Sequence, residues 1–160
     1  MIELRKITWD NWEECRGLEV TDEQDDFIAS NEYSLAQSYV ALLNDELPPM
    51  SYAIYNDDKM IGFTMIGSDT TEGDGYEYGN EPSYYIYRFM IDKKYQNQGF
   101  GKQAMQKVLE YIKTFPQGEV AAVYLSYNPD NNVARKLYQS FGFIETGEID
   151  DGEVVARLKI

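Results

Sequence analysis

Residues 83–112, SYYIYRFMIDKKYQNQGFGKQAMQKVLEYI, change their hydrophobic period once, and that change limits the folds open to the chain. The first ten residues are a β-branched and aromatic run, most of it apolar, as expected of a buried strand. From there on, Phe100, Ala104, Val108, Tyr111 and Ile112 recur at three- and four-residue spacing, which is one face of a helix expected over 99–114. Gly99 and Gly101 therefore sit at a helix N-terminus. They carry no Cβ, so a ligand can approach the backbone, and the first-turn N–H groups lack intrahelical partners. Such an end favours anions, phosphates above all, although a lone G-x-G is equally what a plain surface turn before a helix carries.

The remaining segments decide what surrounds that junction. Residues 2–7 alternate as a first strand, and Thr8 is placed to cap a short helix over 9–17. After the acidic stretch TDEQDDFIASNEYS, Ser34 is expected to cap a second helix running to about Leu43, closed off by Pro48 and Pro49. Strands 51–55 and 59–67 are joined by the polar turn NDDK into a hairpin, and SDTTEGDGYEYGNEP then reads by composition as a mobile loop. A buried strand over 119–128 ends at Asn128-Pro129, and a helix follows whose apolar face is Val133, Ala134, Leu137, Tyr138 and Phe141. A hairpin around DDG finishes the chain. The expectation is a single α/β domain spanning 1–160, with a mixed, mostly antiparallel twisted sheet flanked by helices.

Composition removes several chemistries. With no histidine and one cysteine, Cys15, the chain has no internal disulfide, no C-x-x-C site, no Ser-His or Cys-His pair and no His-ligated zinc, so no metal is expected. Cys15 reads as a small, half-buried thiol without a base. No run approaches the roughly 18 apolar residues of a membrane span, and MIELRKITWD lacks a signal-peptide core, which points to a cytoplasmic protein without a membrane partner. A net charge of −14 argues against nucleic acid. That charge is lopsided: residues 1–81 carry a net of −15 and residues 82–160 a net of +1. Six basic residues against two acidic ones gather over 88–118, around the glycines, so an anion there and a cation elsewhere would both be welcome.

Three anion-binding motifs compete for the glycines. A Walker A loop needs G-x-x-x-x-G-K-[S/T], and GFGKQ has neither the spacing nor the hydroxyl. The dinucleotide fingerprint is formally met by Gly99, Gly101 and Ala104, but too many residues separate the strand from the first glycine and only one more β-α unit follows. The third motif, Q/R-x-x-G-x-G/A, is met by Gln96-Asn97-Gln98-Gly99-Phe100-Gly101. Here the chain resembles the Gcn5-related N-acetyltransferase superfamily. YRFMID precedes the motif at the family's distance, and NNVARKLYQSFGF resembles the family's second signature at Asn131, Ala134, Leu137, Tyr138, Gly142 and Phe143. The order of elements is also the family's, so the resemblance covers essentially the whole chain.

The resemblance implies acetyl-CoA as co-substrate. It places the pyrophosphate in the 96–102 loop, Gln96, Asn97, Gln98, Gly99, Phe100, Gly101 and Lys102, with the backbone N–H groups of the last five on its oxygens. It lays the pantetheine arm along Phe89, Met90 and Ile91 like an added strand, with Asn131 contacting the arm and able to cap its helix as well. Tyr138 falls where many members keep a tyrosine near the thioester sulfur, as a general acid for the departing thiolate, although a core tyrosine would also suit that position.

An alkyl amine acceptor arrives charged and must lose a proton before it attacks. The segments that wall the acceptor site in this superfamily lie in the acidic half, and EQDDFIASNEYSLAQ with YRFMIDKKYQNQGFGK resembles the bacterial spermine/spermidine acetyltransferase group. Some polyamine acetyltransferases place an acidic residue where this chain has Tyr87, so that base does not carry over. Glu32, Glu81 and Asp22 remain as unranked substitutes, and Tyr85 and Tyr87 are candidates to orient a water or contact the amine. The expected partner is a small cationic amine, a polyamine first, and a homodimer is left open. A protein N-terminus or an aminoglycoside-like amine is the alternative acceptor, and a catalytically silent coenzyme A-binding module is the alternative class.

Overall fold

In the computed structural model, which describes residues 1–71 and 75–160, the chain runs β1 (Ile2–Lys6), α1 (Trp12–Gly17), α2 (Asn31–Asn44), β2 (Met50–Asn56), β3 (Lys59–Asp69), β4 (Ser83–Ile91), α3 (Phe100–Ile112), β5 (Ala122–Tyr127), α4 (Asn132–Ser140), β6 (Ile144–Asp150) and β7 (Glu153–Lys159). The described strands form one sheet in the order β1-β2-β3-β4-β5-β7-β6, antiparallel throughout except for β4 and β5. This is the mixed, mostly antiparallel sheet flanked by helices that the pattern predicts. The glycine-rich acidic segment expected to be mobile includes residues 72–74, which lie outside the described residues.

The two faces of the sheet are covered by different helices. On one face Tyr84 and Ile86 of β4 pack with Met105, Val108, Leu109 and Ile112 of α3. Each such buried side chain is worth about 1.5–3 kcal/mol relative to exposure, which is why a helix with one apolar stripe holds its place. On the other face Met90 and Phe63 pack with Cys15 of α1, with Leu35 of α2 against them. A register shift in the β3–β4 pairing between Met65 and Ile66, which face Arg88 and Ile86, leaves Tyr87 as the extra residue on β4.

Four local expectations are corrected. The first helix starts at Trp12, not at residue 9, because the Thr8 N–H donates to Asn11 Oδ1 at 2.7 Å and Thr8 Oγ1 accepts from the Asp10 N–H at 3.3 Å, which holds 8–11 in a turn. The second is capped by Ser30, whose hydroxyl accepts from the Tyr33 N–H at 3.1 Å, and Ser34 lies buried inside it, taking a hydrogen bond from Arg88 Nε at 3.1 Å. Cys15 is fully buried rather than half-buried, and that burial, with the charge of Glu14 adding to it, pushes its thiol up to about 12. Val133, placed by periodicity on the apolar face of α4, is 70% exposed and borders a cleft instead.

Candidate active site

β4 and β5 are hydrogen-bonded only where Ser83, Tyr84 and Tyr85 face Ala122, Val123 and Tyr124. Beyond Tyr85 the two strands part, and a cleft of about 400 Å³ opens, lined by Phe89, Met90 and Ile91 on one side and by Asn131, Val133, Leu137 and Tyr138 on the other. An open strand edge in such a split is a place where an extended chain can add its own hydrogen bonds. Of the three expected strand positions, Ile91 has its carbonyl covered already, accepting from Gln96 Nε2 at 2.9 Å. Gln96 also donates to Gln24 Oε1 at 2.8 Å, which ties the loop of the glycine motif to the segment ahead of α2.

Gln96, Asn97 and Gly101 line the same cleft. Asn97 and Gly99 both have positive φ, +59° and +81°, and Gly99 is the N-cap of α3. Nothing lies within 4 Å of the position a Cβ would take at Gly99, so the space above the loop is open to a ligand. Among the described residues, no group of the chain accepts a hydrogen bond from the backbone N–H of Gln98, Gly99, Phe100, Gly101 or Lys102. Five free donors at a helix N-terminus, with Lys102 among them, fit a pyrophosphate. The Gln98 side chain turns back to the Lys94 carbonyl at 3.1 Å.

Asn131 caps α4, its Oδ1 accepting from the Ala134 N–H at 3.2 Å, and it also faces the cleft, so its two expected roles share one position. Tyr138 stands two turns further on, its ring 5.6 Å from that of Tyr127 and 6.0 Å from that of Phe143. Burial, with the charge of Glu153 adding to it, raises its phenol above the ordinary tyrosine range, so the hydroxyl keeps its proton at any physiological pH. A second cleft of about 240 Å³ meets the first at Tyr138 and is bounded by Tyr87, Arg88, Ser126, Tyr127 and Glu153. Six residues line both clefts, namely Phe27, Ile28, Phe89, Asn131, Ala134 and Tyr138, and Tyr138 alone of these carries a titratable group.

The acceptor candidates do not converge. Tyr87 borders the second cleft, with its ring over Gly67, where any Cβ would collide with it. Tyr85 lies under Tyr87, ring centroids 5.7 Å apart, and its hydroxyl donates to Asp69 Oδ2 at 3.2 Å. Glu81 is taken up elsewhere: Arg157 donates to it from Nε at 2.6 Å and Nη2 at 3.1 Å, and Tyr124 donates at 2.7 Å. These donors, Arg157 first, hold its carboxyl below the usual range, a poor setting for a base. Asp22 and Glu32 line a further depression beside α1, which adjoins the first cleft at Val20, Ile28 and Met90 and where Arg16 approaches Glu32 to 3.8 Å.

Sequence reasoning missed Glu153 and Arg88. Arg88 is drawn toward α2, donating to Ser34, to Gln37 Oε1 at 3.2 Å and to the Tyr87 carbonyl at 2.9 Å. Glu153 reaches the cleft because β7 lies against β5, with Ser126 opposite Val155. The available signal was the alternation of EVVARLKI, which puts Glu153, Val155 and Arg157 on one face; which face meets the cleft depends on a pairing distant in sequence.

The family model of the Acetyltransferase (GNAT) family matches residues 1–143. The chain is 30% identical over 132 residues, 80% of its own length and 84% of the relative's, to the Probable spermine N(1)-acetyltransferase of Bacillus subtilis subsp. natto (strain BEST195). It is 29% identical over 132 residues, with the same coverage of 80% and 84%, to the Spermine/spermidine N(1)-acetyltransferase of Bacillus subtilis (strain 168). Among solved structures, aminoglycoside acetyltransferase AAC(6')-Ib in complex with coenzyme A aligns with a TM-score of 0.77 over 99% of this chain and 95% of that one, at 15% identity, a likeness of fold.

Proposed function

Because the chain belongs to the Acetyltransferase (GNAT) family and is an acetyl-CoA-dependent N-acetyltransferase, we propose that its acceptor is a polyamine such as spermidine or spermine. The observation that carries this reading is the meeting of two clefts at Tyr138, one built to take an anionic, extended co-substrate and the other edged by a carboxylate. Acetyl-CoA supplies the acetyl group already activated as a thioester. The free N–H groups of Gln98 to Lys102 hold its pyrophosphate, and the open edge of β4 at Phe89 and Met90 aligns its arm toward Tyr138. Tyr138, kept protonated by its surroundings, gives its proton to the departing sulfur.

Support for a multiply charged acceptor comes from the face beyond the second cleft. Tyr87, Tyr85, Tyr78 and Tyr124 form a continuous set of rings with neighbouring centroids 5.4–6.4 Å apart. Asp69, which accepts from Tyr85, and Asp150, which accepts from Tyr78, lie among them. Burial and the charges of Asp150 and Asp69 hold the Glu77 carboxyl above its usual range, a crowding of negative charge that ammonium groups would relieve. Of these rings Tyr85 and Tyr124 are buried and Tyr87 is exposed, and an exposed aromatic face attracts cations as well. The names of the two relatives at about 30% identity point the same way.

The test compares spermidine and spermine with a monoamine of similar length. The polyamines should show the higher kcat/KM, and added salt should raise their KM more steeply, because screening weakens several charge contacts instead of one. Equal efficiency and equal salt response would remove the polyamine and leave the N-acetyltransferase with another acceptor.

A further inference from the structure

Glu153 has no cationic partner within 4 Å among the described residues, although it edges the same cleft as Tyr138. It is the first residue of β7, placed directly after the Asp151-Gly152 turn, where both residues have positive φ (+47° and +80°). The β5–β7 pairing turns it to the side of Ser126, whose Oγ donates to Glu153 Oε1 at 3.1 Å. One carboxylate oxygen is thus held, and Oε2 accepts from no other group of the described chain. The charged and titratable groups around it are Tyr87 and Arg88 from β4, Tyr127 from β5 and Tyr138 from α4 in the cleft, and Asp150 of β6, which pairs directly opposite it.

We propose that Glu153 is the catalytic residue that takes the proton from the acceptor's ammonium group, directly or through one water. This rests on the reading of the second cleft as the acceptor side. A fixed carboxylate with one oxygen restrained and the other free is suited to that work, and it lines the same cleft as Tyr138. In the step, the N–H bonding pair stays on nitrogen while the proton moves to Glu153. The nitrogen pair forms the new C–N bond to the acetyl carbon, and the C–S bond breaks with its pair going to sulfur. Sulfur takes the Tyr138 proton, the second nitrogen proton restores the phenol, and Glu153 releases its proton to solvent. The net products are the acetamide, the free thiol and one proton.

Glu153→Gln tests this, since an amide keeps the shape and can still accept from Ser126. With spermidine, kcat/KM should fall by roughly 10²-fold near pH 7.5, and the deficit should shrink as pH approaches the pKa of the amine, near 10, where solvent has already removed the proton. A weakly basic amine that is uncharged at neutral pH should be acetylated by variant and wild type at comparable rates, and Glu153→Asp should restore part of the activity toward spermidine. Acetyl-CoA should raise the melting temperature of the variant as it does that of the wild type. An unchanged kcat/KM for spermidine overturns the role of Glu153, as does an equal loss for charged and uncharged amines at every pH. If the wild type acetylates only amines other than polyamines, the acceptor assignment fails, while the same variant tested on the amine that is used still decides the role of Glu153.

Discussion

Arg157 holds Glu81 with two hydrogen bonds, Nε to Oε1 at 2.6 Å and Nη2 to Oε2 at 3.1 Å, and so takes a carboxylate that sequence places near the acceptor site out of contention as a base. The pair joins β7 to the turn that leads into β4, and Tyr124 of β5 completes it at 2.7 Å. A carboxylate in such a clamp serves the fold.

Glu81→Gln should therefore cost stability, about 1–2 kcal/mol for a charge-assisted pair that is partly exposed, while leaving KM for the amine unchanged. The folded carboxyl is depressed, so its contribution is present at pH values above the unfolded pKa of about 4.5 and is lost as pH falls through the lower folded value. Denaturant titrations of wild type and variant should differ at pH 7 and converge in strong acid. A raised KM with unchanged stability would return Glu81 to the acceptor site.

Cys15 should be silent toward thiol reagents in the folded protein. It is fully enclosed, and its thiol is pushed up to about 12, so almost no thiolate exists at neutral pH. Labelling should require denaturant, and its rate should not respond to acetyl-CoA below the unfolding transition. Rapid native labelling accompanied by loss of activity would contradict this placement.

The loop gives a cleaner test than replacing its first glycine. Valine at Gly99 would have to adopt a φ of +81°, so loss of binding there would mix strain with ligand contact. At Gly101 an added Cβ meets only Ile91 Cγ1, at 3.9 Å, an ordinary contact. Gly101→Glu puts a negative charge in the first turn of α3, which the helix dipole tolerates well, but opposes it to a pyrophosphate. The variant should fold with near-normal stability and lose the rise in melting temperature that acetyl-CoA gives the wild type. A full shift in the variant would remove the loop from the co-substrate site.

Much of this was legible in the sequence because it is local. The period change at Phe100, the glycines of the loop and the Asn131 cap are each set within a few residues, and the antiparallel pairing of β2 with β3 and the parallel pairing of β4 with β5 followed from the polar turn and the helix that connect them. The helix starts were less legible where two residues compete for one cap, as Ser30 and Ser34 do, since the choice depends on Arg88 reaching Ser34 from another strand. The acceptor side was least legible. Glu81, Asp22 and Glu32 are close in sequence to the expected walls, but Arg157 takes the first and the other two line the adjoining depression beside α1 and not the cleft of Tyr138. Glu153 comes to the cleft from near the end of the chain, through pairing of β5 with β7 that no local pattern encodes.

The most direct measurement is of Tyr138→Phe, which removes one hydroxyl from the point where the two clefts meet. With chemistry limiting and both substrates saturating, kcat should fall by roughly 10²-fold, the effect of losing a general acid, while the dissociation constant for acetyl-CoA stays within about twofold of wild type. A kcat equal to that of the wild type under those conditions would contradict proton donation by Tyr138 and leave it as a core side chain packed between Tyr127 and Phe143.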